Sequence, residues 1–256
     1  IQNNIYGVDI EKGAVDIARL RFWLSIVVDE ETPSPLPNLD YKIMQGNSLI
    51  ESFMGVDLSK LTYEKEYKKD KGEISLFDDE KNRLQKTVSH LLSSYYSCSD
   101  HDRKVKLQQE ISDTINKQLE AQAYNPSILA KLKEINLAEN NKFFLWHTWF
   151  SDVFNRDDRE GFDIVIGNPP YIGEKGHKEI FQPVKSDIHL GQYYLGKMDY
   201  FYFFFHLAFN MLSPNGVATF ITTNYYPTAL GARRLRADIK YRMSIKTLFN
   251  LGELRL

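Results

Sequence analysis

Residues 162 to 173 read FDIVIGNPPYIG, and this stretch constrains the fold more than any other. The run Ile164, Val165, Ile166 predicts a buried strand, and Gly167, Asn168, Pro169 and Pro170 end it abruptly. Neither proline has an N–H and both have a fixed φ, so the ladder stops at a stiff corner. In a parallel α/β sheet, ligands bind just beyond the carboxyl ends of the strands. The Asn168 side chain and the Pro169 carbonyl then offer two acceptors close together, beside the Tyr171 ring. Two acceptors and a flat π-face suit a planar group that carries an –NH2. An exocyclic amine is a poor nucleophile because its lone pair is delocalised into the ring. Oxygens that accept both hydrogens favour a tetrahedral nitrogen and stabilise its developing positive charge. A base in a duplex reaches such a pocket only by rotating out of the stack, and an aromatic side chain then holds it.

The rest of the chain predicts the sheet around this corner. NIYGVDI (4 to 10) reads as a strand closing on Asp9, and residues 11 to 30 have helical spacing with Ala14, Ile17, Ala18, Leu24 and Val28 on one face. The proline-rich connector TPSPLPN (32 to 38) follows, then a second short strand in YKIMQGNSLI (41 to 50). This β-α-β order favours a parallel sheet covered by helices. From about 51 to 142 charged and polar residues dominate. Apolar positions there (Leu84, Val88, Leu91, Leu92; Val105, Leu107, Ile111, Ile115, Leu119) predict a hairpin of two solvated helices. Core texture returns at FFLWHTWF (143 to 150). An aromatic helix (199 to 212), a turn at SPNG, a strand (217 to 223), a helix (228 to 242) and a strand (244 to 251) complete the pattern.

NPPY after a hydrophobic strand resembles the catalytic motif of S-adenosylmethionine-dependent amino-methyltransferases, above all the N6-adenine DNA methyltransferases. GFDIVIGNPPYIG, preceded by FFLWHTWFSDVF, is most similar to the methylase region of Eco57I-like restriction-modification enzymes. The resemblance covers 1 to 50 and 143 to 256, and implies a Rossmann-like α/β methyltransferase sheet, incomplete at its N-terminus, with 51 to 142 as an inserted helical hairpin. It implies Asn168, Pro169, Pro170 and Tyr171 as catalytic residues. YGVDI resembles the segment that binds the cofactor ribose, which implies Asp9 and, beside the cofactor adenine, Ile10; the alternative for Asp9 is a helix cap. GNSL resembles the segment at the cofactor adenine amine, which implies Asn47 and Ser48; a plain Gly-Asn-Ser turn is the alternative. Asn224 and Tyr225 in TTNYY point to the target pocket, with turn chemistry as the competing account. Asp199 reads first as an N-cap of the aromatic helix. The family's glycine-rich loop is absent before Asp9 and is expected upstream of Ile1. The later base-sandwiching aromatic and the target-recognition domain are expected after LGELRL, so the chain reads as a fragment of a larger polypeptide. The expected partners are duplex DNA and a fused or associated endonuclease.

Composition sets the remaining bounds. With 34 acidic and 32 basic side chains, the net charge of −2 leaves no global electrostatic footprint for nucleic acid. Arg233, Arg234, Arg236, Lys240 and Arg242 form a local basic stretch that serves either phosphates or a solvated helix face. The single cysteine, Cys98, excludes a disulfide framework and suits a reducing cytoplasm; it also disfavours C5-cytosine methylation, which needs a Pro-Cys nucleophile. The histidines have no metal-binding spacing, and no acidic constellation with a lysine marks a nuclease. The most apolar run, YFYFFFHLAFNML, is shorter than a membrane span. Two rival readings remain: an NPPY enzyme acting on a protein glutamine or an RNA base, and a non-catalytic interaction domain.

Overall fold

A computed structural model describes residues 4–29, 36–61, 76–122, 124–156 and 159–250. The chain divides into two compact units, Ile1–Asn155 and Arg156–Leu256. Each contains one parallel strand pair.

In the first unit β1 (Gly7–Asp9) leads into α1 (Lys12–Asp29), which returns to β2 (Ile43–Gln45). The strands pair in parallel with Gly7 opposite Ile43 and Asp9 opposite Gln45. Buried Val15 of α1 packs with Leu39 and Ile43, and Ala18, Phe22 and Trp23 flank that contact. The expected face of α1 is corrected here. Ile17, Leu24 and Val28 are exposed, and so is Ala14. The helix is apolar on nearly every side, so periodicity alone cannot choose its buried stripe. Arg19 makes the choice: its guanidinium donates to the Ile43 and Asp40 carbonyls at 2.6–2.9 Å, turning that side of the helix inward.

A small antiparallel hairpin, β3 (Ser52–Phe53) with β4 (Val56–Asp57), precedes α2 (Leu76–Ser97), α3 (His101–Ala121) and α4 (Pro126–Lys133). Asp100 caps α3 by accepting from the Arg103 amide at 2.7 Å. The helices α2 and α3 form the expected hairpin over Val88, Leu92, Leu107, Ile111, Ile115 and Leu119, whereas Val105 is exposed. The hairpin also docks on the strands. Tyr95 donates to Asp40 at 2.5 Å and sits edge-on to Tyr41, and the Tyr96 hydroxyl donates to the Tyr41 carbonyl. Lys42, almost fully buried, donates to Asp152 at 2.9 Å, and its ammonium lies over the Tyr6 and Tyr96 rings. Pairing and π-faces are what make a buried cation tolerable. FFLWHTWF forms the short helix α5 (Trp146–Trp149), followed by α6 (Ser151–Phe154).

In the second unit β5 (Phe162–Gly167) pairs in parallel with β6 (Leu212–Phe220), and α7 (Lys178–Ser186) and α8 (Phe201–Met211) lie between them in sequence. The SPNG turn sits inside β6 as a bulge. The register slips between Phe162 and Ile164, and Asn215 adopts a left-handed φ of 67°. The expectation of a fully buried β5 is corrected: Ile164 and Ile166 are exposed and form one apolar face with Val217 of β6. The helix α9 (Arg233–Arg242) is as expected, but 244 to 250 is not a strand, and residue 251 lies outside the described residues along with LGELRL. The described strands thus form three two-stranded sheets. The two crossover pairs are parallel, as the β-α-β reading requires; a single Rossmann-like sheet is not among the described ladders.

The aromatic helix α8 is the core of the second unit, with Phe201, Tyr202, Phe203 and Phe209 buried. Within it His206 is fully buried, stacked on Tyr193 at 3.7 Å and donating from Nδ1 to Asp238 at 2.6 Å. Asp238 also accepts two bonds from Arg242. Burial pushes the imidazole down to about 4, against the upward pull of Asp238. A folded-state value below the ordinary 6.5 means that the unfolded chain binds the proton first as pH falls. The stabilisation is therefore complete above about 6.5 and lost as pH drops toward 4. Between pH 7 and 5 wild-type protein should lose about 2 kcal/mol from this group. Urea titrations at the two pH values should show that loss shrink by about this amount in His206→Gln.

Candidate active site

The residues singled out from sequence gather at the carboxyl ends of the two parallel pairs, one set in each unit. At the first, β1 ends on Asp9 and β2 on Gln45, and the Gly46 amide donates to the Asp9 carbonyl at 2.8 Å. This places Asp9 and Ile10 alongside Gly46, Asn47 and Ser48. Asp9 Oδ1 accepts from the Glu11 amide at 2.9 Å, an Asx turn that leads into α1 but does not cap it, since Glu11 holds the N-cap position. The turn uses one carboxylate oxygen; Oδ2 and the exposed side chain remain available to hydroxyl donors. Ile10 presents an exposed apolar surface beside it. Asn47 is part-buried, and its Oδ1 accepts from the Leu49 amide at 3.2 Å, the turn chemistry weighed against a cofactor contact. The Ser48 carbonyl accepts from the Trp146 indole at 2.9 Å, which anchors the turn to α5.

At the second strand end, β5 closes on Gly167 opposite Phe220. One further rung, from the Ile221 amide to the Gly167 carbonyl, precedes the corner. Asn168, Pro170 and Tyr171 are exposed and Pro169 is buried. The Pro169 carbonyl has no hydrogen-bond partner among the described residues. The Tyr171 hydroxyl lies 2.9 Å from Asn168 Oδ1 and 2.7 Å from the Ile221 carbonyl, and its ring stands edge-on to buried Phe201 at 5.9 Å. Asn168 is thus neither turned into the core nor bonded to main chain. Its one contact, with the tyrosine of its own motif, was not foreseen.

Asp199 is not an N-cap. It precedes α8, whose N-cap residue Tyr200 makes no side-chain cap bond. Asp199 bridges to Gly173, two residues past Tyr171, in an antiparallel contact. Burial and the neighbouring Asp199 carboxylate, itself buried, raise the Tyr202 and Tyr225 phenols above their ordinary values. Asp199 therefore ties the segment after β6, with Tyr225 and its exposed neighbour Asn224, to the motif loop. Glu174 was missed altogether. Burial pushes its carboxyl up, yet bonds from the Tyr194 hydroxyl and the Lys197 and Met198 amides hold it below the usual range. Its partners lie some twenty residues on, and no local pattern marks them. The basic stretch is largely structural: Arg234 donates to the Gln192 and Tyr194 carbonyls, Arg236 to those of Tyr226 and Ala229, and Arg242 to Asp238 and Asn210.

A mixed α/β chain with parallel crossover pairs is compatible with a methyltransferase fold. A family model described as "Eco57I restriction-modification methylase" matches residues 3–256, and the chain belongs to that family. It is also similar to a protein of Methanocaldococcus jannaschii named "Putative type II restriction enzyme and methyltransferase RM.MjaORFECS2P", with 26% identity over 302 residues. That match covers 98% of this chain and 24% of the relative, so the chain spans about a quarter of the relative's length.

Both strand ends share a Gly-Asn step, and at each a side chain on the glycine would run into a phenyl ring. A Cβ on Gly46 would meet the Phe144 ring at 2.5 Å, and one on Gly167 would meet the Phe220 ring at 2.6 Å. Real Cβ atoms do not approach that closely, so either the ring or the corner must move. Gly167→Ala should therefore displace the corner and cut catalytic turnover by about tenfold or more, since a misplacement of about 1 Å can cost a hundredfold. Turnover measured against a thermal melt checks this: the rate should fall much further than the melting temperature implies.

Proposed function

We propose that this chain is the catalytic region of a DNA methyltransferase that methylates the N6 amine of an adenine rotated out of a duplex, within a restriction-modification system. The observation that carries the reading is the corner at the end of a parallel strand, where Asn168, Pro170 and Tyr171 are exposed around buried Pro169, whose carbonyl has no hydrogen-bond partner among the described residues. Asn168 and Pro169 each take one hydrogen of the amine, and Pro170 stiffens the turn that spaces them. Tyr171 stacks on the base, and Asn224 and Tyr225 shape the pocket around it.

The chemistry needs a methyl donor, and the first strand end fits S-adenosylmethionine. The free oxygen of Asp9 suits a ribose diol, Ile10 suits an adenine face, and Asn47 and Ser48 adjoin them. When bound, that cofactor supplies a methyl on a sulfonium sulfur, which leaves as a neutral thioether. The amine nitrogen forms the new N–C bond and then loses a proton, so the charge stays balanced. Residues 1–50 and 143–256 form the methyltransferase part in this reading, and 51–142 is a helical insertion. The partners are duplex DNA and an endonuclease and target-recognition region, fused or associated, in the cytoplasm. No described helix is long and apolar enough to cross a membrane.

The test uses the full-length protein, methyl-labelled cofactor, and duplex DNA, RNA and a glutamine-bearing protein as competing acceptors. Label should appear as N6-methyladenine in DNA, and Asn168→Ala should lower turnover roughly 10²–10³-fold. Label confined to RNA or glutamine, or DNA methylation indifferent to Asn168→Ala, overturns the reading. Asp9→Ala should raise the cofactor KM about tenfold with a smaller effect on kcat, the pattern of a lost binding contact.

A further inference from the structure

The Tyr171 hydroxyl has one hydrogen and faces two acceptors, Asn168 Oδ1 at 2.9 Å and the Ile221 carbonyl at 2.7 Å. It cannot serve both well. Whichever bond it makes, lone pairs on two oxygens confront each other at the other contact. The amide nitrogen of Asn168, meanwhile, has no partner among the described residues. A half-turn of the carboxamide removes the conflict, because it exchanges oxygen and nitrogen at the point nearest the hydroxyl. Asn168 then donates to the phenol oxygen, and the phenol donates to the Ile221 carbonyl. The phenol hydrogen and one amide hydrogen then each have an acceptor, the second amide hydrogen points away from the hydroxyl, and Oδ1 swings off it with both lone pairs free.

We infer that Tyr171, besides offering a ring, is a positioning residue whose hydroxyl selects the orientation in which the Asn168 oxygen accepts the substrate amine. The inference rests on the methyltransferase reading above and adds a specificity to it. A carboxamide offers an acceptor on one side and a donor on the other, and only the acceptor side helps an –NH2 become a nucleophile. Turned the wrong way, Asn168 would present N–H to N–H. Stacking constrains the base and leaves the carboxamide free to turn; the proline corner fixes the backbone and leaves χ2 of Asn168 free. The hydroxyl is the group placed to choose. Its far anchor is a main-chain carbonyl one residue beyond β6, whose amide is bonded to Gly167. The reference point is therefore the strand ladder itself, which no side-chain rotation can shift.

The experiment is a double-mutant cycle in the full-length protein, with Tyr171→Phe made both in the wild-type chain and in the Asn168→Asp variant, and read by single-turnover methylation of duplex DNA. Phenylalanine keeps the ring, so KM for DNA and cofactor should hold while kcat falls roughly three- to tenfold, the weight of one neutral hydrogen bond. A carboxylate has oxygen on both sides and no wrong orientation. In the Asn168→Asp variant the same change should therefore alter kcat less than about twofold. Equal losses in both backgrounds, or no loss in the wild-type chain, overturn the inference while leaving the methyltransferase reading intact. Asn168→Ala with full activity would overturn that reading instead. Neutron diffraction supplies a readout independent of turnover: Nδ2 of Asn168 directed at the Tyr171 hydroxyl is expected, and Oδ1 directed there overturns the proposal.

Discussion

The second unit depends on a strand that is forced to stop. Pro169 and Pro170 have no amide hydrogen, so the ladder between β5 and β6 ends at the rung from Ile221 to Gly167. The two strands end level, with Phe220 opposite Gly167, and the Ile221 carbonyl lies one residue beyond β6 with no ladder partner. The Tyr171 hydroxyl takes that place. A side chain thus completes the edge that the prolines left open, and the motif closes on itself over four residues. The bond joins the motif to the segment that leaves β6.

The two strand ends solve the same steric problem in the same way. Each pairs a glycine, backed by a phenyl ring, with an asparagine that follows it. At Gly46 the ring is Phe144, whose amide also bonds the Ile50 carbonyl, so the turn after β2 is clamped on both sides. At Gly167 the ring is Phe220, itself packed on Phe205 of α8 at 4.7 Å. The aromatic helix therefore acts at one remove on the corner: α8 sets Phe220, and Phe220 sets how close the backbone at residue 167 can lie. The same helix carries Phe201 against Tyr171 and Tyr202 against Asp199. Much of its aromatic content is framework for the strand-end loops as well as core.

What was legible from sequence was local. The proline corner, the crossover pattern and the helical hairpin follow from backbone chemistry and short-range periodicity, and they stand where expected. What was illegible depended on direction or on distant partners. The buried side of α1 is decided by Arg19 reaching the Asp40 and Ile43 carbonyls, a contact that no hydrophobic count weighs. The exposed face of β5 is hidden from sequence because an apolar run reads as buried whether or not a layer covers it. Asp199 looked like a cap because it precedes a helix, whereas its carboxylate acts on tyrosines that lie 3 and 26 positions further along the chain. Asp9 shows the opposite outcome. Capping and binding were weighed as rivals, yet Asp9 makes an Asx turn instead of a cap, and that turn takes only one of its two carboxylate oxygens.

That division of labour within one side chain bears on how such a motif works at all. An acceptor that must meet a weak donor, such as an aryl amine, cannot itself be loosely held, since its freedom would have to be lost in the transition state. The corner supplies rigidity in two ways. The prolines remove backbone freedom before any substrate would arrive. In the inference drawn above, the tyrosine removes side-chain freedom through a bond anchored to the Ile221 carbonyl. A ring without a hydroxyl would supply the stacking surface and leave the second task undone. A hydroxyl without a ring would be too short to span from the motif to the end of β6. Tyrosine does both because its polar atom lies at the far end of its flat face, which lets one residue grip the neighbouring strand while keeping its face exposed beside the asparagine.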